Sequence, residues 1–395
     1  MERPGRGSPP LRQIIRDGER TSVNFDLTDE QKMLQEQARR YLAERVGYDR
    51  LRTAIEQGDE TDPALWNGMA ELGWLMVGIP EEYGGLGLGT LEQCVIAEEL
   101  GRVVAPVPFT SSLGLAAEAI LARGSHAQKE RLLPALGTGE AVAALAFFEG
   151  PGAPEHAVMD AFACTVRDGF LSGVKWPVLD GGVADHLIVA AKDAAGVVGL
   201  YCVDARGEGV ARERISGFDQ LRAGHVVTFT AAPAERLGTG DARAAILACF
   251  DKAAVLTAFE QVGGAEAALY MGRDYALERK AFGRAIGSYQ AIKHKLADML
   301  TKVELARSNA YYAGWAMENE APDRALAAAT ARVSAIEAYE FAARENMQVH
   351  GGISFTWEAN CHFHYRRSRL LAVSLGAASH WSGRIIDQLL SAQSA

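Results

Sequence analysis

A guanidinium, an aromatic ring and a carboxamide crowd one short stretch of the chain: Arg279, Phe282 and Gln290, within Tyr275-Ala-Leu-Glu-Arg-Lys-Ala-Phe-Gly-Arg-Ala-Ile-Gly-Ser-Tyr-Gln290. A guanidinium presents a planar fork to a phosphate or pyrophosphate, a ring packs on a flat surface, and an amide bonds a polar edge. The set suits a flat, phosphate-bearing ligand. The competing reading of the same residues is a solvated, charged corner between two helices. Cys361, His362 and His364, with His350 and His380 nearby, raise the question of a metal. Residues two apart do not share a helix face, and no second paired group closes a ligand set, so no metal is expected. No Ser-His-Asp constellation with an elbow motif is present.

The elements that must hold the first set are two long helical patterns, from about Ala242 to Glu278 and from Tyr289 to about Asn319. Gly283 and Gly287 mark the turn between them. Along the second, Tyr311, Tyr312, Trp315 and Met317 are spaced as a helix core or bundle contact, and Trp381 with Leu389 and Leu390 as packing or an oligomer seam. Earlier, Thr28 and Gln31 form a capping box ahead of Leu34, Ala38, Tyr41 and Leu42, which share one helical face. Further helices are expected over 64–72, 91–100, 113–123 and 127–136, with Gly84–Gly89 as a loop. The pattern then changes to short runs rich in Val, Phe and Thr: 142–148, 162–166, 169–175, 186–191, 197–203 and 225–230. That is an antiparallel all-β signature. The fold class expected is α+β multidomain: an N-terminal helical domain (25–138), a middle antiparallel β-barrel or sandwich (139–238) and a C-terminal four-helix bundle (239–395). Residues 1–24, rich in Arg, Gly and Pro without an apolar h-region, read as a disordered tail rather than a secretory signal.

With 395 residues, two or three domains and an ample core are possible. A net charge of −10 argues against a nucleic-acid partner but not against an anionic small ligand, which needs only a local basic patch. No apolar run reaches about 18 residues, so no membrane span is expected. The five cysteines, Cys94, Cys164, Cys202, Cys249 and Cys361, are scattered and odd in number, which points to a reducing, cytoplasmic location.

Arg279-Lys-Ala-Phe-Gly283 followed by Gln290, then Gln348-Val-His-Gly-Gly352 and Thr356-Trp-Glu358, resembles the acyl-CoA dehydrogenase family. Glu81-Glu-Tyr-Gly-Gly-Leu-Gly87 and Glu98-Glu-Leu-Gly101 do so near the other end. The likeness covers nearly the whole chain from about Phe25, in the family's order, and implies an FAD-dependent α,β-dehydrogenation of an acyl-CoA thioester. It also implies that Arg279, Phe282, Gln290, Gln348, Gly351 and Gly352 hold the ADP half of FAD bound to a neighbouring subunit in a dimer or tetramer. An electron-transfer flavoprotein is the acceptor expected from the family.

The same likeness exposes departures. The family's usual base, the Glu of a Tyr-Glu-Gly-Thr run, falls on Leu375 in Ser374-Leu-Gly-Ala-Ala-Ser379, and the run's Thr on Ala377. The alternative base position, in the first bundle helix, falls on Ala253. Asp251 and Glu260 are the nearest carboxylates, Asp251 otherwise reading as an exposed acid near a helix start. Leu145-Ala-Phe-Phe-Glu149-Gly-Pro-Gly-Ala-Pro-Glu155 lacks the family's Ser-Asp, and Trp176-Pro-Val-Leu179 keeps the Trp of its motif without the Thr that bonds the flavin. Asp219 and Arg222 resemble a further family segment and read most simply as a salt link. The motifs offered to a neighbour are intact while those for the chain's own site are eroded. The likeness therefore implies one subunit of a heteromeric complex in fatty-acid or steroid side-chain degradation, as in the mixed α2β2 assemblies among bacterial members. The alternatives are a non-catalytic subunit completing a partner's FAD site, or a homo-oligomer with a non-standard base.

Overall fold

Thr28 Oγ1 accepts from the Gln31 backbone N–H at 3.2 Å while Gln31 Oε1 accepts from the Thr28 N–H at 3.0 Å, and this reciprocal cap starts α1 (Asp29–Arg45). The computed structural model describes residues 27–394, so the tail expected at 1–24 lies outside the described residues. Ala38 and Leu42 are buried on the face expected of them, with Leu34 and Tyr41 packed at its rim. A helix not expected from periodicity, α2 (Tyr48–Gln57), follows and ends on left-handed Gly58. It buries only Leu51, too narrow a stripe to stand out in the sequence. Then come α3 (Pro63–Glu71), capped by Asp62, and α4 (Thr90–Arg102). A π-helical turn, Thr110–Ala117, runs into α5 (Glu118–Arg123), and α6 (His126–Gly137) closes the helical part.

Eight strands form one sheet: β1 (Ala143–Ala146), β2 (Thr165–Arg167), β3 (Phe170–Leu179), β4 (His186–Lys192), β5 (Val198–Asp204), β6 (Val210–Arg214), β7 (Gly224–Pro233) and β8 (Glu235–Leu237). The path is β6-β7-β3-β2-β4-β5-β8, with β1 beside β4. The sheet is mixed rather than wholly antiparallel: β1 runs parallel to β4, and β2 meets β4 in parallel through Thr165 and Lys192. A long connection containing α7 (His156–Asp160) follows β1, so no tight hairpin obliges it to reverse. The two strands absent from the sequence reading, β6 and β8, lie at the sheet edges. Their Arg-Glu-Arg and Glu-Arg residues suit an edge but hide the strand pattern.

The remaining helices are α8 (Arg243–Glu278), α9 (Gln290–Glu318), α10 (Arg324–His350), α11 (Cys361–Val373) and α12 (Ala378–Ser394). α4 crosses α8 so closely that a Cβ on Gly101 would sit 1.8 Å from Glu260 O, and one on Gly263 1.8 Å from Glu98 O. Only hydrogen fits at either point.

Where the three parts of the chain meet, buried charges join them. Arg367 on α11 donates through Nε to Asp219 at 2.6 Å, and through Nη1 to Glu260 at 3.2 Å and Ala105 O at 3.1 Å. Arg222 donates to Asp180 at 2.5 Å and to Ser111 Oγ at 3.2 Å. Asp219 and Arg222 are thus not a salt link with each other. One Asp219 oxygen turns back to the Leu221 N–H, and the other faces Arg367. Truncating one partner of such a set leaves charge stranded in low dielectric. Arg367→Met is expected to destabilise the fold by about 3–5 kcal/mol in urea unfolding. A loss under about 1 kcal/mol, the level of an exposed pair, would show that water reaches these groups.

Candidate cofactor clamp and apolar cavity

The turn after α8 is a small hairpin, β9 (Lys280–Ala281) against β10 (Arg284–Ala285). Its tip is Phe282 and Gly283, at φ 51° and 81°. Arg279 sits at its base, its N–H held by Tyr275 O at 2.8 Å and its carbonyl accepting from Ile286 N at 2.8 Å. Tyr289 OH donates across to Ala281 O at 3.0 Å, and the Arg284 guanidinium lies 4.0 Å over the Tyr289 ring. The hairpin is therefore braced from within, while the three candidate side chains face outward. Phe282 is 97% exposed, Arg279 and Gln290 are exposed, and the Arg279 guanidinium has no ion-pair partner among the described residues. Phe282 is thus a lone exposed ring at the tip of a braced strut.

Gln348 lies in the last turn of α10, which ends on Gly351 at φ 66°. A Cβ on Gly351 or Gly352 would meet nothing within 4 Å, so the backbone there is open to close approach. These residues line a groove of about 360 Å³ with Arg344, Met347, Phe355 and Tyr365. The Tyr275 ring, one turn before Arg279, stacks on His350 with centroids 4.1 Å apart. That contact brings the hairpin and the Gln348–Gly352 corner to the same end of the bundle. Arg344, Phe355 and Tyr365 were not singled out in the sequence. Arg344 precedes Gln348 by four, a same-face spacing on a helix, and that was the available signal.

Leu375 faces a different environment. It lines a cavity of about 120 Å³ with Leu115, Leu145, Phe147, Phe148, Pro177, Leu179 and Phe250, together with Leu370, Val373, Gly224, Ser111 and Ser374. None of these side chains titrates near neutral pH. Ser111 donates to Asp180, and Ser374 donates to Leu371 O at 3.4 Å. Beside the cavity, Trp176 N donates to Phe148 O at 2.7 Å. Glu149 accepts from Ala163 N at 2.6 Å, Cys164 N at 3.1 Å and the buried Lys175 Nζ of β3 at 2.8 Å, so its carboxylate is occupied within its own chain.

The two carboxylates considered as bases stand elsewhere. Asp251 is buried, not exposed: α12 folds back over the start of α8 and Arg384 grips both Asp251 oxygens. Burial pushes its carboxyl above the usual range while Arg384 pulls it down. Glu260 is held between Arg367 and Arg222 in the buried charge cluster, and neither acid lines the cavity. Ala253 is fully buried in the core. No group of three metal-ligating side chains occurs among the described residues. His364 is shut between Tyr48 OH at 2.9 Å and Tyr339 OH at 3.2 Å, and burial brings its pKa down to about 3, so it stays neutral.

Family models for the acyl-CoA dehydrogenase N-terminal and C-terminal domains match residues 28–140 and 243–389. An acyl-CoA dehydrogenase of Mycobacterium tuberculosis, IpdE2, is 30% identical over 86% of this chain and 91% of its own. A chain of the Tcur3481–Tcur3483 steroid acyl-CoA dehydrogenase superposes with a TM-score of 0.83 at 35% identity, covering 93% of this chain and 99% of that one. A chain of the ChsE4–ChsE5 complex of Mycobacterium tuberculosis does so at 0.84 and 26%, covering 93% and 99%.

If the cavity is dry, a carboxyl placed in it is pushed up in pKa. Its protonated form then survives folding better than its ionised one, so destabilisation deepens as pH rises through the raised value. Leu375→Glu should therefore melt closer to the wild type at pH 5 than at pH 8. Melting curves displaced equally at both pH values would mean the cavity is wet.

Proposed function

The chain belongs to the acyl-CoA dehydrogenase family, oxidoreductases acting on the CH–CH group of acyl-CoA thioesters, and we propose that it serves as one subunit of a heteromeric dehydrogenase, clamping an FAD whose flavin ring lies on a partner subunit. The observation that supports the proposal is the contrast between an exposed candidate clamp and a mostly apolar cavity lined by Leu375, the residue on which the family likeness places the base position.

FAD is the family's cofactor, and its two halves fit this chain differently. The clamp suits the ADP half. Arg279 offers a fork to the pyrophosphate, Phe282 packs, Gln290 and Gln348 bond polar edges, and bare Gly351 and Gly352 let the backbone come close. The chain's own cavity does not suit the flavin. A cavity of about 150 Å³ holds one benzene ring, whereas this one is about 120 Å³ and the flavin is tricyclic. When bound, FAD supplies the acceptor for the substrate's β-hydride. Removing the α-proton needs a carboxylate against that carbon, and no residue lining this cavity can accept it. The base therefore belongs to the partner, and this chain contributes binding and orientation. A homo-oligomer using Asp251 or Glu260 is disfavoured, because both acids are already gripped by arginines.

The likeness to a steroid acyl-CoA dehydrogenase supports a fatty-acyl or steroid side-chain thioester as substrate, with an electron-transfer flavoprotein as acceptor. No helix among the described residues is long and apolar enough to cross a membrane; a cytoplasmic location, and domain boundaries near 138 and 238, are part of the proposal.

The chain purified alone is expected to be colourless and unable to reduce a dye with acyl-CoA. Co-purified with its partner it should be yellow and active. In that complex Arg279→Ala should weaken FAD binding by about ten-fold or more, the worth of a charged hydrogen bond. Unchanged flavin content would remove the clamp from the account, and a yellow, active lone chain would remove the partner.

A further inference from the structure

Phe355 is 82% exposed and lines the Gln348–Gly352 groove. Arg344 also lines the groove, one helical turn before Gln348. Its Nε meets Glu345 at 3.3 Å, and its two Nη atoms make no hydrogen bond among the described residues. Glu345 is also bonded by Lys295, so turning Arg344 away leaves no orphaned carboxylate. Arg369 lies 5.6 Å from the Tyr365 ring beside the groove. The acid nearest to Arg369, Glu340, is bound to it. The groove therefore combines a free ring, bare backbone, an amide and spare guanidinium nitrogens. Its volume of about 360 Å³ falls within the range of about 300–1,000 Å³ usual for small-molecule sites.

We propose that Phe355 and Arg344 extend the clamp: Phe355 stacks on the purine of the ADP moiety and Arg344 takes a phosphate oxygen through its free nitrogens. The proposal rests on the reading of Arg279, Phe282, Gln290, Gln348, Gly351 and Gly352 as an ADP clamp. It adds what that set lacks, a flat platform on the groove side and a second charge. A protein side chain inserted by the partner is the other occupant the groove would admit. Base stacking is sequence-tolerant and needs only a free ring face, which Phe355 has.

The test is the FAD dissociation constant and release rate of the complex purified through this chain, read by flavin fluorescence, with the assembly's mass followed by light scattering. Phe355→Ser should weaken FAD about ten-fold or more, and Phe355→Tyr, which keeps the ring, should restore it. Arg344→Gln should weaken FAD about ten-fold and flatten the salt dependence of binding, because one ionic contact is gone. Arg279→Ala runs alongside. If Arg279→Ala releases FAD while Phe355→Ser and Arg344→Gln retain it, the extension is overturned and the clamp stands. If none of the three releases FAD, the clamp falls with it. If FAD is lost only as the assembly's mass falls, the groove is a protein–protein contact and the proposal is wrong.

Discussion

Three guanidiniums and three carboxylates are closed off from water where the helical, sheet and bundle parts converge: Arg222, Arg332 and Arg367 with Asp180, Asp219 and Glu260. Each ion alone would be expelled or neutralised by the cost of desolvation. Together they hold one another and draw in neutral partners. Arg332 is the most exposed to that cost. Burial brings its pKa down to about 9 against the pull of Glu260, and it donates to Gln261 and to Leu371 O. The cluster fixes α11 at two points, Arg367 through Asp219 and Leu371 through Arg332. The chain leaving α11 therefore delivers Leu375 to a set place, and through Ser111 the same charges shape the opposite cavity wall.

That rigidity separates two surfaces with different physics. Around Leu375 the walls are carbon and the polar atoms are satisfied within the chain. At the far end of the bundle the opposite holds. Phe282 and Phe355 are exposed, and among the described residues the Arg279 guanidinium and the two Nη atoms of Arg344 make no hydrogen bond. A ring left in water contributes no burial energy to the free chain. An assembly gains from it, since preorganised side chains lose little entropy when a ligand or neighbour arrives.

What the sequence made legible was local. The Thr28–Gln31 cap and the turn between the long helices each depend on residues a few positions apart, and each lies where the spacing places it. What failed was non-local. Asp251 read as exposed because its partner, Arg384, is 133 positions away. Asp219 and Arg222 looked like a pair because they are near in sequence, whereas the nearest acid to one and the nearest base to the other come from different parts of the chain. The parallel pairing of β1 and the charged edges β6 and β8 leave no periodic trace. The residues proposed as a clamp were singled out through resemblance, which implied their role, while the openness of Gly351 and Gly352 and the exposed ring of Phe355 are visible only in three dimensions.

Leu375 shows why the two surfaces part. A carboxylate in a cavity walled by Phe147, Phe148 and Phe250 would have to be dried without a counterion, since the arginines nearby are already matched to Asp180, Asp219 and Glu260. That desolvation is tolerable where it raises the basicity of a group that does chemistry. On the proposed reading, in which the flavin lies on a partner, it would be only a penalty. A leucine at the same position turns it into about 1.5–3 kcal/mol of apolar burial. The clamp feels no such pull. Its residues are solvated in the free chain, so an exposed arginine and glutamine cost the fold little whether or not a nucleotide is present. Burial therefore disfavours an idle base and not an idle clamp, and a chain that only completes its neighbour's site can keep one without the other.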